Sequence, residues 1–239
     1  MKLAHNHSVV RCAMLAGALT WAVNAEGQSS LHVAAPALPI VEVVADSGHT
    51  LALLLSGDGG WSGGDRALAQ GLASRGVAVI GLDMRAYLRS AQRTPESMSR
   101  DTETLVERYG AAWHRDRLVL VGYSRGANVA PFLVNRWPSA VRGRLALLAL
   151  IGFTDHASFQ FHWRDILYDV RRPSDLPTRP ELEHVRGATV LCVYGDGEKD
   201  SLCPSLNSSE VRLARHSGGH VLDAKSGAEV ANLVANSLR

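Results

Sequence analysis

The residues whose types and spacing suggest chemistry begin with Gly122-Tyr123-Ser124-Arg125-Gly126, which follows the apolar run Leu118-Val119-Leu120-Val121 and precedes a helical stretch from about Ala127. A strand, a sharp turn carrying a serine and then a helix is the context of a nucleophile elbow. The turn is strained, and side chains two places either side of the serine would collide with strand or helix, which explains Gly122 and Gly126. The bland alternative, a serine that merely caps the helix, explains Ser124 but not the flanking glycines.

A serine hydroxyl near neutral pH needs a base, and the base needs a group to orient it. In this kind of fold the chain order is serine, acid, histidine. His220, in the glycine-rich turn Gly218-Gly219-His220 before the last helix, is the expected base; His216, at a strand end, is expected on the surface. The loop Gly195-Asp196-Gly197-Glu198-Lys199-Asp200 offers three carboxylates. Asp196-Gly197 is a good turn pair, so Asp200 is the first choice for the acid and Asp196 the second. An oxyanion hole needs two backbone amides. Arg125 supplies one, and Asp58 or Gly59, in Ser56-Gly57-Asp58-Gly59-Gly60-Trp61, the other. The chemistry implied is acyl transfer by a serine hydrolase.

The elements that must position these residues are legible as apolar runs of strand length alternating with helical spacing, the pattern of a mostly parallel sheet covered by helices on both faces. Strands are expected at 50–56, 77–82, 117–123, 145–153 and 188–194, with weaker ones at 41–44 and 211–214. Helices are expected at 65–75, 95–109, 127–137 and 227–238, the second opened by Thr94-Pro95. The fold class is α/β, of the α/β-hydrolase type. Residues 154–184, rich in aromatics and prolines, interrupt the alternation as a short cap or insertion.

At 239 residues and 46% hydrophobic, one substantial core in one domain is expected, spanning 40–239. Before it, Lys2, Arg11, the apolar run Cys12 to Val23 and the small-residue site Val23-Asn24-Ala25 read as a secretory signal peptide over 1–25, cleaved after Ala25, followed by a linker at 26–39. The apolar run is shorter than the ~20 residues of a membrane span. Cleavage removes Lys2 and Arg11 and leaves 23 basic against 23 acidic residues. That balance argues against nucleic-acid binding, which draws on a concentrated basic surface. Cys192 and Cys203 remain as a pair in an oxidising compartment, where a disulfide can persist. Bridging them would close a short loop around the acid and stabilise by about 3 kcal/mol. Gly59-Gly60 lacks the rest of a phosphate-binding motif, and the histidines lack zinc-ligand spacing, so neither a nucleotide cofactor nor a catalytic metal is expected.

Several motifs together, Leu54-Leu55-Ser56-Gly57-Asp58-Gly59-Gly60-Trp61, Arg93-Thr94-Pro95-Glu96, Val121 to Ala127, Val193-Tyr194-Gly195 with Asp200-Ser201-Leu202-Cys203, and Gly218-Gly219-His220, resemble the VirJ/AcvB family of bacterial periplasmic proteins. The resemblance spans about Thr50 to Leu238. It implies a periplasmic α/β-hydrolase acting on aminoacylated phosphatidylglycerol, lysyl or alanyl, at the membrane face. It carries the nucleophile onto Ser124, the histidine onto His220 and the acid onto Asp200. Arg125 stands where the family usually has an aromatic, and Val221 where a second histidine is common; Arg125 would then put a cation near the site, favouring a lipid phosphate or disfavouring a lysyl group. Longer members carry a further N-terminal domain, so the chain resembles the short form. An aminoacyl ester brings an ammonium, for which Asp58, Asp196 and Glu198 are the available carboxylates. Phe159, Phe161, Trp163 and Tyr168 in the cap either meet the lipid or form core. Two alternatives stand beside this reading: a general carboxylesterase or lipase, and a non-catalytic accessory protein of a secretion system built on the same scaffold.

Overall fold

The computed structural model describes residues 38–163 and 171–238. The expected signal peptide, linker residues 26–37 and Tyr168 lie outside the described residues.

In chain order the elements are β1 (Ile40–Val43), β2 (Thr50–Leu55), α1 (Gly63–Ala73), β3 (Val77–Leu82), α2 (Met84–Ser90), α3 (Pro95–Ala112), β4 (Arg117–Tyr123), α4 (Arg125–Arg136), α5 (Ser139–Arg142), β5 (Leu145–Ile151), β6 (His156–Ala157), β7 (Leu176–Pro177), α6 (Thr178–Glu183), β8 (Thr189–Gly195), β9 (Val211–His216) and α7 (Ala224–Asn236). Seven strands form one sheet in the order β1-β3-β2-β4-β5-β8-β9, parallel except for β1, which runs antiparallel to β3.

The alternation of side chains along a strand splits the core in two. On β2, Leu51, Leu53 and Leu55 join a cluster with Met84, Met98, Val106 and Phe132, while Ala52 and Leu54 face Leu68, Leu72 and Val230 on the other side. Both faces of the central strands are therefore buried, which is why their sequences read as unbroken apolar runs. On the second face α1 and α7 cross closely: a Cβ on Gly227 would lie 2.4 Å from the Gly64 carbonyl oxygen.

Observed strands agree with the expected ones to within a residue or two. Helix α1 starts two residues early because Ser62 and Asp65 form a capping box. Helix α2 was not expected; Asp83 caps it by accepting from the Ala86 amide, a local signal in a segment with little periodicity. In the cap, β6 and β7 pair antiparallel and lead into α6.

Candidate active site

The sheet dictates where a site can form. From β2 the chain passes to β3 on one side and later returns to β4 on the other, so the loops leaving β2 and β4 diverge and open a crevice at their carboxyl ends. Ser124 sits there, at the junction of β4 and α4, with φ 53° and ψ −117°. That left-handed backbone is rare for a side-chain-bearing residue. The glycines behave as their positions suggest: a Cβ on Gly122 would come 2.4 Å from Gly126 O, and one on Gly126 would come 2.2 Å from Leu55 O. Ser124 makes no side-chain cap to the helix, which removes the capping alternative.

Its hydroxyl instead meets His220, with Oγ 2.8 Å from Nε2. The other ring nitrogen, Nδ1, lies 2.5 Å from Oε1 of Glu198. An ionised carboxylate only accepts, so Nδ1 carries the proton and Nε2 is left to accept from the serine. Glu198 is almost fully covered, its side chain 3% exposed. Burial alone would raise its pKa, but the hydrogen bonds from His220 and the Gly195 amide, with His220 and His216 nearby, outweigh it and hold the carboxyl below its ordinary value. Tyr123 fastens the histidine loop to the elbow: its hydroxyl donates to His220 O at 3.1 Å and accepts from the Leu222 amide at 3.2 Å.

Two expectations require correction. The group behind the histidine is Glu198, not Asp200 or Asp196. After β8 the chain turns at once, with the Glu198 amide donating to Gly195 O at 3.0 Å and the Gly195 amide donating back to Glu198 Oε2 at 3.1 Å. The turn folds the longer glutamate side chain over the strand end and under His220. Asp200 lies beyond the turn, exposed on the cavity rim, and Asp196 points to solvent near Arg215. His216 is also not a surface residue; it is 2% exposed, its Nδ1 2.9 Å from Ser217 O. Sequence reading missed a further contributor, Gly152 after β5. At φ +64° it leaves the space that His220 occupies, since a Cβ there would come 2.9 Å from His220 Cε1 and 3.3 Å from Glu198 Oε1. In the sequence it falls inside the expected strand 145–153, and a glycine interrupting that apolar run was the available signal.

Cys192 and Cys203 are joined by a disulfide, with Cα atoms 5.6 Å apart. The bridge ties β8 to the short 3₁₀ turn Cys203–Ser205 and closes the loop that carries Glu198 and Asp200.

The expected oxyanion segments flank the serine. The loop after β2 turns tightly, with the Gly60 amide donating to Gly57 O at 3.0 Å, and a Cβ on Gly57 would lie 3.1 Å from Ser124 Cβ. Asp58, Gly59 and Arg125 line the same cavity as Ser124. Arg125 does not present an open cation to that cavity, as its sequence position suggested. Its side chain is 7% exposed, its Nε bonds Asp58 Oδ1, and its Nη1 donates to Ser158 O at 2.9 Å. The pair neutralises both members.

The cavity has a volume of about 610 Å³, and its wall mixes apolar surface with many polar side chains. Besides Tyr123, Val221 and Leu222, its side chains are hydroxyls, amides, imidazoles and charges, among them Arg172, Asp175 and Lys199. Phe159 is core, packed edge-on against Phe132, whereas Trp163 is 62% exposed. Among the described residues, no cluster of histidine, cysteine and carboxylate suits a metal ion.

Comparison with solved structures places this architecture. An α/β serine hydrolase homologue from Coxiella burnetii is 14% identical over 84% of this chain and 91% of its own, with a TM-score of 0.57. The esterase domain of a Rhodothermus marinus protein is 13% identical over 82% and 89%, TM-score 0.55. A putative dienelactone hydrolase from Klebsiella pneumoniae is 12% identical over 84% and 98%, TM-score 0.54. At such identities the likeness shows the fold, the α/β-hydrolase fold. No curated protein sequence matches. A sequence model of the bacterial virulence protein VirJ matches residues 49–239, and with most of its length so matched the chain belongs to the VirJ family.

Proposed function

We propose that this chain is a periplasmic serine hydrolase of carboxylic esters, with Ser124 as nucleophile, His220 as base and Glu198 as the group that orients the base. The observation that carries the reading is the unbroken line of hydrogen bonds from Ser124 through His220 to the covered carboxylate of Glu198. In the reaction, Ser124 Oγ attacks the ester carbonyl while His220 Nε2 takes its proton. The amides of Arg125 and of Asp58 or Gly59 hold the oxyanion, and His220 returns the proton to the leaving alcohol. Water then attacks the acyl-enzyme by the same base and frees the acid.

The substrate is the aminoacyl ester of an aminoacyl-phosphatidylglycerol. Arg172 and Lys199 on the cavity wall suit the phosphodiester of a headgroup. Family membership and the signal-peptide reading of residues 1–25 support a periplasmic site of action.

Incubating purified protein with lysyl- and alanyl-phosphatidylglycerol and analysing the lipids tests this. Free amino acid and phosphatidylglycerol should appear, and a fluorophosphonate probe should label wild type but not Ser124→Ala. Equal labelling of both proteins, or none of wild type, overturns the serine mechanism. Turnover of neutral short-chain esters alone would leave a general carboxylesterase.

A further inference from the structure

The run Gly57-Asp58-Gly59-Gly60-Trp61 ends on a residue with no part in the proposed reaction, and its side chain sits in a notch in the sheet. Along β3, Val77 and Val79 face the core layer under α1 and α7, and the next position on that face is Gly81. The indole of Trp61 fills the place of the missing side chain: a Cβ on Gly81 would come 2.2 Å from its Cη2 and 2.3 Å from its Cζ3. From there Trp61 packs against the same core layer. At the other end of the loop Ser56 is fully buried, its amide donating to Leu82 O at 3.2 Å and its Oγ accepting from the Met84 amide at 3.0 Å. Between these two anchors lie Gly57 to Gly60, closed into a turn by the Gly60 amide on Gly57 O. Asp58 and Gly59, to whose amides the proposed mechanism assigns the oxyanion, sit in that turn.

From this geometry we infer that Trp61 is a positioning residue for the oxyanion loop and that Gly81 is its seat. The inference deepens the ester-hydrolase reading and rests on it. A turn with three glycines in four residues has little conformational restraint of its own, and a displacement of about 1 Å in a catalytic group costs up to about 100-fold in rate. A large ring held in a glycine notch fixes where the turn must end, so packing on β3 sets the height of the amides above the sheet. Arg125 holds Asp58 from the elbow side, and Trp61 holds the turn from the sheet side. Acylation and deacylation both build charge on the carbonyl oxygen, so loosening this anchor slows both steps and leaves ground-state binding unchanged.

The test uses the full chain and steady-state hydrolysis of 4-nitrophenyl acetate, with thermal unfolding followed alongside. Trp61→Ala should lower kcat about 10- to 100-fold and leave KM within about twofold of wild type. Gly81→Ala keeps the indole and adds one methyl where the ring sits; it should lower kcat in the same way, and it decides the matter should Trp61→Ala fail to fold. The double variant should be no slower than Trp61→Ala alone, because the methyl then enters space that the indole has vacated. A role confined to core packing would lower Tm and leave kcat as it was. Unchanged kcat in Gly81→Ala, a loss carried by KM, or additive losses in the double variant overturns the assignment. Persistence of turnover in Ser124→Ala would instead overturn the hydrolase reading itself.

Discussion

At Ser124 the backbone occupies a region that folded chains avoid, and the strain lifts the hydroxyl out of the crevice floor toward His220. What stands behind the histidine then decides whether the hydroxyl is useful. In the proposed mechanism, Glu198→Gln leaves the shape but lets the amide orient the wrong tautomer, so kcat should fall by about 10³- to 10⁴-fold. Asp200→Asn should leave kcat near wild type, and steady-state kinetics on a soluble ester would separate the two. The reverse ranking would return the role to Asp200. Because Glu198 is held below its ordinary pKa in the folded state, its charge contributes stability that is present above the unfolded carboxyl value and lost as pH falls through the lowered one. Acid titration of unfolding should therefore show a shallower loss for Glu198→Gln than for wild type. Sequence alone placed Ser124 and His220, since glycine spacing and element order mark both. It ranked Asp200 first among three carboxylates in six residues and missed Glu198, because the choice depends on a turn that hydrogen-bonds Gly195 to Glu198 from both ends.

At the scale of elements, the site is assembled from the carboxyl ends of β2, β4, β5, β8 and β9, and each end needs something different. Beyond β5, Gly152 leaves room; beyond β8, a tight turn carries the acid; beyond β9, the loop holding His220 is tied down by Tyr123. The disulfide restrains the β8 loop from its far side. Replacing both cysteines by alanine should lower stability by about 3 kcal/mol, read as a drop of roughly 6–12 °C in Tm. An unchanged Tm under identical conditions would show that the bridge constrains nothing beyond the packing. The strands were legible because burial on both faces leaves unbroken apolar runs. Helix α2 and the β6–β7 pair were not, since two-residue strands and a seven-residue helix fixed by one capping aspartate carry almost no periodic signal.

At the scale of the whole molecule, a parallel sheet places every functional loop on one edge, and the cap sits on that edge. Trp163 stands out from it, with the guanidinium of Arg89 4.8 Å and that of Arg85 5.9 Å from its ring. Aromatic rings and cations side by side are what a bilayer interface with anionic headgroups attracts, each cation contributing about 1 kcal/mol. If the substrate is a membrane lipid, Arg89→Ala should weaken sedimentation with phosphatidylcholine vesicles containing phosphatidylglycerol about fivefold, the equivalent of that 1 kcal/mol, without altering turnover of a soluble ester. Equal sedimentation of both proteins would remove this face from the membrane contact. The α/β fold was readable from alternation alone, but a surface patch made by α2 and the cap was not, because its residues are far apart in sequence.

The side chain of Arg125 links three parts of the chain that have no backbone continuity: the elbow, the loop after β2 through Asp58, and the cap through Ser158. Both segments expected to donate amides to an oxyanion are thus braced against each other before any substrate arrives. Donors fixed in advance need no rearrangement as charge builds on the carbonyl oxygen, so the free-energy cost of assembling them is met once, during folding, and is not repeated at every turnover.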